Sequence, residues 1–514
     1  MPLTGVEDYV FRFEPLPMSV ESFDFIEGNS GNDFRRTEIR ERGVSLESSN
    51  WRDSETGDWL IGFFPDFAIY DARVWSYSDK DFRRGNFRLT DGETTVNVEV
   101  GKEKSGHRKL KIDGKEFRTD RITGLALPDY PTKGEMTRFV DNGYGQVDTV
   151  TISGCLLNMP QANGMSRGNA GDISLNYVDM FTSETRVFTA PVDSAGFFTL
   201  RFPIPNTLAV KFDEKRIDML MPVEPGESYF VFYDCDTRQL LWMGEKSRLL
   251  NELTAHSFSS SPSVNDKATG EEIAMTLSGH YAKMSALADS VAYAVPTLSP
   301  LWTEWIKAIN LAECMHPAGQ CRFRMKPRMI PSDVRRFIRE TLLPELPAVL
   351  TAVNTYRLSQ FLRDFSDDII ETSPLHFSIQ TSPRSSISTY VEPEVYRELS
   401  PQLDSIRAEV NHVLKLSADT LPECMKDSVY QFFRAISKLT KEKGIKRDRE
   451  SAEIRILAAT IDSMSITPVM KDMVIALALS RKIRSEGRTL SPEMEPYIDR
   501  YISLPHAREA FHSL

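Results

Sequence analysis

The chain has 514 residues, more than one hydrophobic core usually organises, so about three or four domains are expected. A composition of 41% hydrophobic and 26% charged residues is that of folded protein and excludes wholesale disorder. The 73 acidic residues outnumber the 62 basic ones, and the resulting formal charge of −11 repels phosphate backbones, which excludes nucleic acid as an expected partner.

The start, "MPLTGVEDYVF", has neither a basic n-region nor an apolar h-region and does not read as a signal peptide. Either the protein stays in the cytoplasm or residue 1 is not the start of the natural precursor. No stretch approaches the roughly 20 apolar residues that span a bilayer, so no transmembrane segment is expected. The longest apolar run, "MVIALALS" at 473–480, lies between Lys471 and Arg481 and suits a buried helix.

Residues 1–48 read as a partial β segment, and 49–130 as a β-rich domain. Val96, Val98 and Val100 alternate with polar neighbours, as do Leu110 and Ile112, the period that puts one strand face on a core. Asp113-Gly114 then supplies a two-residue turn, predicting a hairpin over 107–118. The segment "FFPDFAIYDARVWSY" (63–77) has two readings. Its aromatics fill a core, or an exposed strip centred on Trp75 and Tyr77 stacks on a sugar or anchors a partner.

After the polar stretch at 128–146, residues 131–246 read as a β-sandwich. Strands are expected in "VDTVTISGCLL", "DISLNYVDM", "TRVFTAPV", "GFFTLRFPI", "RIDMLMPV" and "SYFVFYD". No helical run lies between them, which excludes a Rossmann-type sheet. "GYG" at 143–145 has Asp148 where a dinucleotide fingerprint wants a third glycine, so it reads as a turn.

From "SRLLNEL" onward the apolar spacing becomes i, i+3, i+4, and 247–514 reads as a helical domain. Ser or Thr before Pro marks several helix starts. Trp302, Trp305, Ile306 and Ile309 fall near one helix face, as packing residues do. "SPRSSISTYVEPE" (382–394) reads as a long loop between two helical groups. The fold class is therefore multidomain α+β, with antiparallel β-rich and β-sandwich modules in the N-terminal half and an all-helical C-terminal half.

"CMHPAGQC" (314–321) is the one stretch that joins two cysteines to a histidine. The spacing is wrong for a thioredoxin-like dithiol, and a zinc site would need a fourth ligand. Buried or unpaired thiols remain open. So does a structural disulfide between Cys314 and Cys321, with "HPAG" turning the chain after a helix that ends near Cys314; it would contribute roughly 2.5 kcal/mol in an oxidising compartment. Glu409 with His412, and Glu509 with His512, have the i, i+3 spacing of di-iron bundle ligands but fit solvated helix faces as well. Asp364, Asp367, Asp368 and Glu371 could bind a cation or line a polar helix face. No catalytic residue, metal ligand or cofactor is nominated.

The segment 188–253 carries a family resemblance. "APVDSAGFFTLRFPIPNTLAVKF", then "VEPGES" before a strand, then a glycine followed by "SRLLNEL", resembles the region preceding the thioredoxin domain in multidomain TlpA-type proteins of the bacterial envelope. That family's chemistry rests on a Cys-x-x-Cys at a helix start. The cysteines here are at 155, 235, 314, 321 and 424, no two of them three apart, and no βαβ unit follows, so no active-site residue carries over. The resemblance implies a periplasmic or cell-surface, non-catalytic accessory protein that docks or presents a protein or peptide partner. Two alternatives stand beside it: a thiol-disulfide oxidoreductase acting through Cys314 and Cys321, and a glycan- or peptide-binding module using the sandwich faces.

Overall fold

The computed structural model describes residues 23–26, 35–39, 46–104, 106–123, 138–158, 172–214, 217–244, 246–325, 329–344, 355–382, 385–391, 395–402, 423–443, 449–462, 466–485 and 495–512, with 127, 128, 130, 132, 133, 404, 405 and 408. The expected division holds: the N-terminal half is β-rich and antiparallel apart from one parallel pair (residues 151–157 with 228–234), the C-terminal half helical.

A short ribbon, β1 (Phe23–Ile26) with β2 (Arg35–Ile39), precedes an eight-stranded closed barrel. Its strands are β3 (Ser49–Asp53), β4 (Trp59–Phe63), β5 (Phe67–Tyr70), β6 (Arg73–Asp81), β7 (Asn86–Thr90), β8 (Thr95–Val100), β9 (His107–Ile112) and β10 (Lys115–Ile122). Each pairs with the next, and β10 returns to β3, so no edge is left open. Alternation places Val96, Val98 and Val100 inside beside Trp51, Phe63, Trp75, Leu110 and Ile112. The hairpin expected over 107–118 is present. Asp113 (φ 45°) and Gly114 (φ 86°) form its turn, a left-handed pair that Asp and Gly tolerate.

Two four-stranded sheets follow, packed face to face. One has the order β14 (Phe197–Ile204), β11 (Asp148–Leu157), β17 (Ser228–Asp234), β18 (Leu240–Gly244). The other runs β13 (Thr185–Ala190), β12 (Ile173–Val178), β15 (Leu208–Glu214), β16 (Ile217–Val223). Val150, Ile152, Phe202, Phe212, Val231 and Trp242 fill the space between them.

The first of these sheets is buried on both faces. Tyr229 and Val231 of β17 point into the sandwich, whereas Phe230 and Phe232 pack with Trp59, Phe64 and Ile69 from the outside of the barrel. Ring centroids of Trp59 and Phe64 lie 5.9 and 5.1 Å from Phe232. Burial on both sides explains why "YFVF" is continuously apolar instead of alternating.

Helices among the described residues include α1 (Ser247–Ala255), α2 (Gly270–Ala294), α3 (Pro300–Gln320), α4 (Ser332–Phe337), α5 (Thr355–Thr372), α6 (Glu423–Glu442), α7 (Arg449–Asp462), α8 (Pro468–Ser485), α9 (Glu495–Tyr501) and α10 (Pro505–His512). Thr269 and Glu272 form a reciprocal capping box on α2. Ser299 caps α3 ahead of Pro300, as the Ser-Pro signal predicts. The structure departs from the expected long loop at 382–394. Strands β19 (His376–Ser382) and β20 (Ser385–Tyr390) form an antiparallel ribbon within the helical half. Its Ser-rich composition masks an alternation in which Ile379 pairs with Ile387.

The three modules meet at α1. The buried Arg248 guanidinium donates to Glu252 (2.8 Å), to Thr132 Oγ1 (2.7 Å), to the Thr56 carbonyl of the barrel (3.3 Å) and to the Thr297 carbonyl before α3 (2.5 Å). Glu252 also accepts from the Ser299 amide (2.9 Å) and hydroxyl (2.5 Å). Next to Glu252, Asn251 accepts from the Trp242 amide (2.9 Å) and donates to its carbonyl (3.0 Å), fastening strand β18. Lys246 pairs with the equally buried Glu224 at 3.1 Å. Gly57 turns the chain at φ 81°, and a Cβ there would sit 2.3 Å from Arg248 Nη1, so only glycine lets the barrel loop reach the guanidinium.

Truncating Trp59 to Ala empties the centre of the barrel–sandwich interface. A loss of about 3–5 kcal/mol is expected, read as a lower urea midpoint. An unchanged midpoint contradicts the interface.

Candidate functional site

The cysteine segment differs from its expected form. The helix does not end near Cys314: α3 continues through Pro317 to Gln320, and Cys321 opens a 3-10 turn. Pro317 forfeits one backbone bond, yet Cys314, Met315 and Ala318 are locked in the helical core and hold the geometry. Seven residues along a helix separate the two Cα atoms by about 10 Å, beyond disulfide reach. The Cys314–Cys321 disulfide is accordingly not formed, and both are free thiols. Cys314 Sγ contacts the carbonyls of Asn310 (3.7 Å) and Leu277 (3.8 Å), and Cys321 Sγ that of Ala318 (3.1 Å). Burial pushes each thiol up to about 12, and neighbouring Glu313 and Asp368 respectively push the same way. Cys155, shut in the barrel–sandwich interface, is also raised by burial.

The aromatic strip is divided between two cores. Trp75 is 3% exposed inside the barrel and donates to the Tyr70 carbonyl at 2.8 Å. Half-buried Tyr77 donates to the Phe64 carbonyl (3.0 Å), packs on Phe82 and Phe87, and carries Lys80 over its ring. Phe64 and Phe67 face the sandwich. The strip is packing, so Trp75 and Tyr77 do not form an exposed surface.

Glu409 and His412 lie outside the described residues. Glu509 and His512 sit exposed on α10, with His512 Nε2 3.9 Å from Asp499. The acidic group on α5 is consumed by arginines. Asp368 accepts from Arg335 Nε (2.7 Å) and Nη2 (3.2 Å) and from the Ile330 amide (2.8 Å). Arg322 reaches Glu371 (3.1 Å), Asp367 (3.5 Å) and the Asp364 carbonyl (2.9 Å). Asp364 also accepts from Gln320 at 2.6 Å. Burial holds Asp364 and Glu371 above the usual carboxylate range, opposed chiefly by Arg363 and the Gln320 hydrogen bond at the first and by Arg322 at the second. The cluster clamps α5 against the end of α3 and the start of α4.

Beside that clamp lies a recess of about 340 Å³, walled by the 261–264 segment, the end of α3 and the first turns of α5. His316, Gln320, Arg324, Tyr356, Arg357 and Gln360 supply its polar surface, and Val264, Pro317 and Cys321 its apolar one. Arg357 Nη1 donates to Glu313 and to Ser261 Oγ (3.3 Å), and Arg324 Nη1 to the Val264 carbonyl (3.2 Å) and Asp266 (3.2 Å). Among the described residues, the Nε and Nη2 groups of both guanidiniums make no further bond. Gln360 donates to the Tyr356 hydroxyl at 2.7 Å. Of these residues, sequence reasoning singled out only the segment holding His316 and Cys321. The others lie on three separate stretches and form no motif that spacing could show.

A larger recess, about 460 Å³, separates the α7–α8 turn from α9 and α10. Its buried carboxylate, Asp472, is occupied in accepting from the Ser503 amide and hydroxyl and the Leu504 amide. In comparison with known proteins, no family model and no curated protein matches the chain.

With iodoacetamide at pH 8, Cys314 and Cys321 are expected to label about a thousandfold more slowly in the native protein than in the guanidinium-unfolded chain. Peptide mass spectrometry reads each site separately. Labelling of either at the unfolded rate contradicts their burial.

Proposed function

We propose that this chain is a non-catalytic interaction protein of the cell envelope, accessory to a TlpA-type thioredoxin domain, which docks or presents a protein or peptide partner. The observation that carries the reading is the coupling of barrel, sandwich and helices through one buried junction at α1. Rigid coupling of this kind suits a platform, because binding then costs little ordering of the surface that receives the partner. The envelope assignment and the partner domain rest on the resemblance at 188–253, whose "SRLLNEL" is the junction itself. The thiols support the non-catalytic part. Burial holds both sulfurs as alkaline thiols, outweighing at Cys321 the pull of Arg324, Arg322 and Arg335, and a protonated, enclosed thiol is a poor exchange nucleophile. No helix among the described residues is long and apolar enough to cross a membrane.

The test is a calorimetric titration of the purified chain with a separately expressed TlpA-type thioredoxin domain, run beside insulin reduction by dithiothreitol. Saturable micromolar binding is expected, with insulin reduced no faster than without the chain. Absence of binding contradicts the accessory role. Acceleration of insulin reduction that vanishes in Cys321→Ser would establish the oxidoreductase instead.

A further inference from the structure

We propose that the recess between α3 and α5 is a binding site for the free C-terminal carboxylate of a peptide. The proposal rests on the reading of the chain as a docking protein and names the group that is docked. The volume of about 340 Å³ lies at the lower end of ligand pockets, about 300–1,000 Å³, which suits a chain end and not a folded surface.

The donors have the right form. Arg324 and Arg357 are each held through Nη1, the first by Val264 and Asp266, the second by Glu313 and Ser261. What each leaves unused among the described residues is its Nε and Nη2 pair, the side of the guanidinium that takes a carboxylate through two parallel bonds. Fixing Nη1 in advance lowers the ordering cost of that contact.

Charge and shape narrow the ligand further. Glu313 and Asp266 balance the two arginines, so the recess is not a general anion trap, and selection falls to directional contacts. Gln320 and Gln360 each donate through the amide nitrogen, to Asp364 and to Tyr356, which turns their carbonyl oxygens into the acceptors for peptide N–H groups. Val264, Pro317 and Cys321 give the last side chain an apolar floor, and the Tyr356 ring, 55% exposed, stands at the edge. A carboxylate, an amide N–H and an apolar side chain occur together at the end of a polypeptide.

The test uses the full chain and fluorescence anisotropy of N-terminally fluorescein-labelled Gly-Ser-Ala-Leu-Phe, as the free acid and as the C-terminal amide. The free acid is expected to bind, with the amide weaker by about tenfold or more, the loss of a charge-assisted bond pair. Arg357→Met and Arg324→Met should each weaken the acid by about tenfold and leave the amide unchanged. Inorganic phosphate at millimolar concentration should not displace the peptide. Equal binding of acid and amide, displacement by phosphate, or failure of the folded protein to bind either peptide overturns the proposal. The thioredoxin-domain titration, repeated on Arg357→Met with its circular dichroism checked against the parent, separates the two readings. Domain binding without peptide binding removes the recess alone, whereas absent domain binding removes the accessory role.

Discussion

The architecture depends on one buried ion pair, Arg248 with Glu252, a single helical turn apart and both almost fully withdrawn from water. Taking two charges out of water costs several kcal/mol each, and their attraction repays this only when every remaining donor and acceptor is used. That condition is met by partners from elsewhere: Thr56 in a barrel loop, Thr132 in the connecting stretch, Thr297 and Ser299 at the start of α3. A hydrophobic pair of equal volume would hold α1 as firmly. It would not dictate where a barrel loop and a helix cap must sit, and positional definition is the contribution we assign to the pair.

That definition propagates. Ser299 bonds Glu252 and also accepts from the Trp302 amide as the cap of α3, so the junction sets where α3 begins. The helix then runs 21 residues, about 30 Å, to the recess at its far end. On the other side, Asn251 and Trp242 fix β18, whose sheet is pressed between the sandwich core and the barrel. The junction and the aromatic layer are complementary: one is directional and polar, the other dry and area-driven.

Much of the fold was legible because it is written in local periods. Val96, Val98 and Val100 announce a strand, Asp113-Gly114 a turn, and Ser299-Pro300 a helix start, each through neighbours a few residues apart. Closure of the barrel was not legible, since it rests on β10 meeting β3 across some seventy residues of chain. The ribbon at 376–390 was hidden by serine-rich composition. Pro317 suggested a helix end that core packing overrides, and with the helix intact the pairing of Cys314 and Cys321 was lost. The recess was least legible of all. Its arginines sit on separate segments, and only their convergence gives them chemical meaning.

The most direct test of the junction is amide hydrogen exchange on Arg248→Lys, which keeps the charge but removes the planar fork. Exchange should quicken together in three places: residues 54–57 of the barrel loop, 246–252 of α1 and 297–302 at the start of α3, with the barrel interior and α8 unchanged. Acceleration confined to 246–252, or none at all, would show that Arg248 does not tie the three modules.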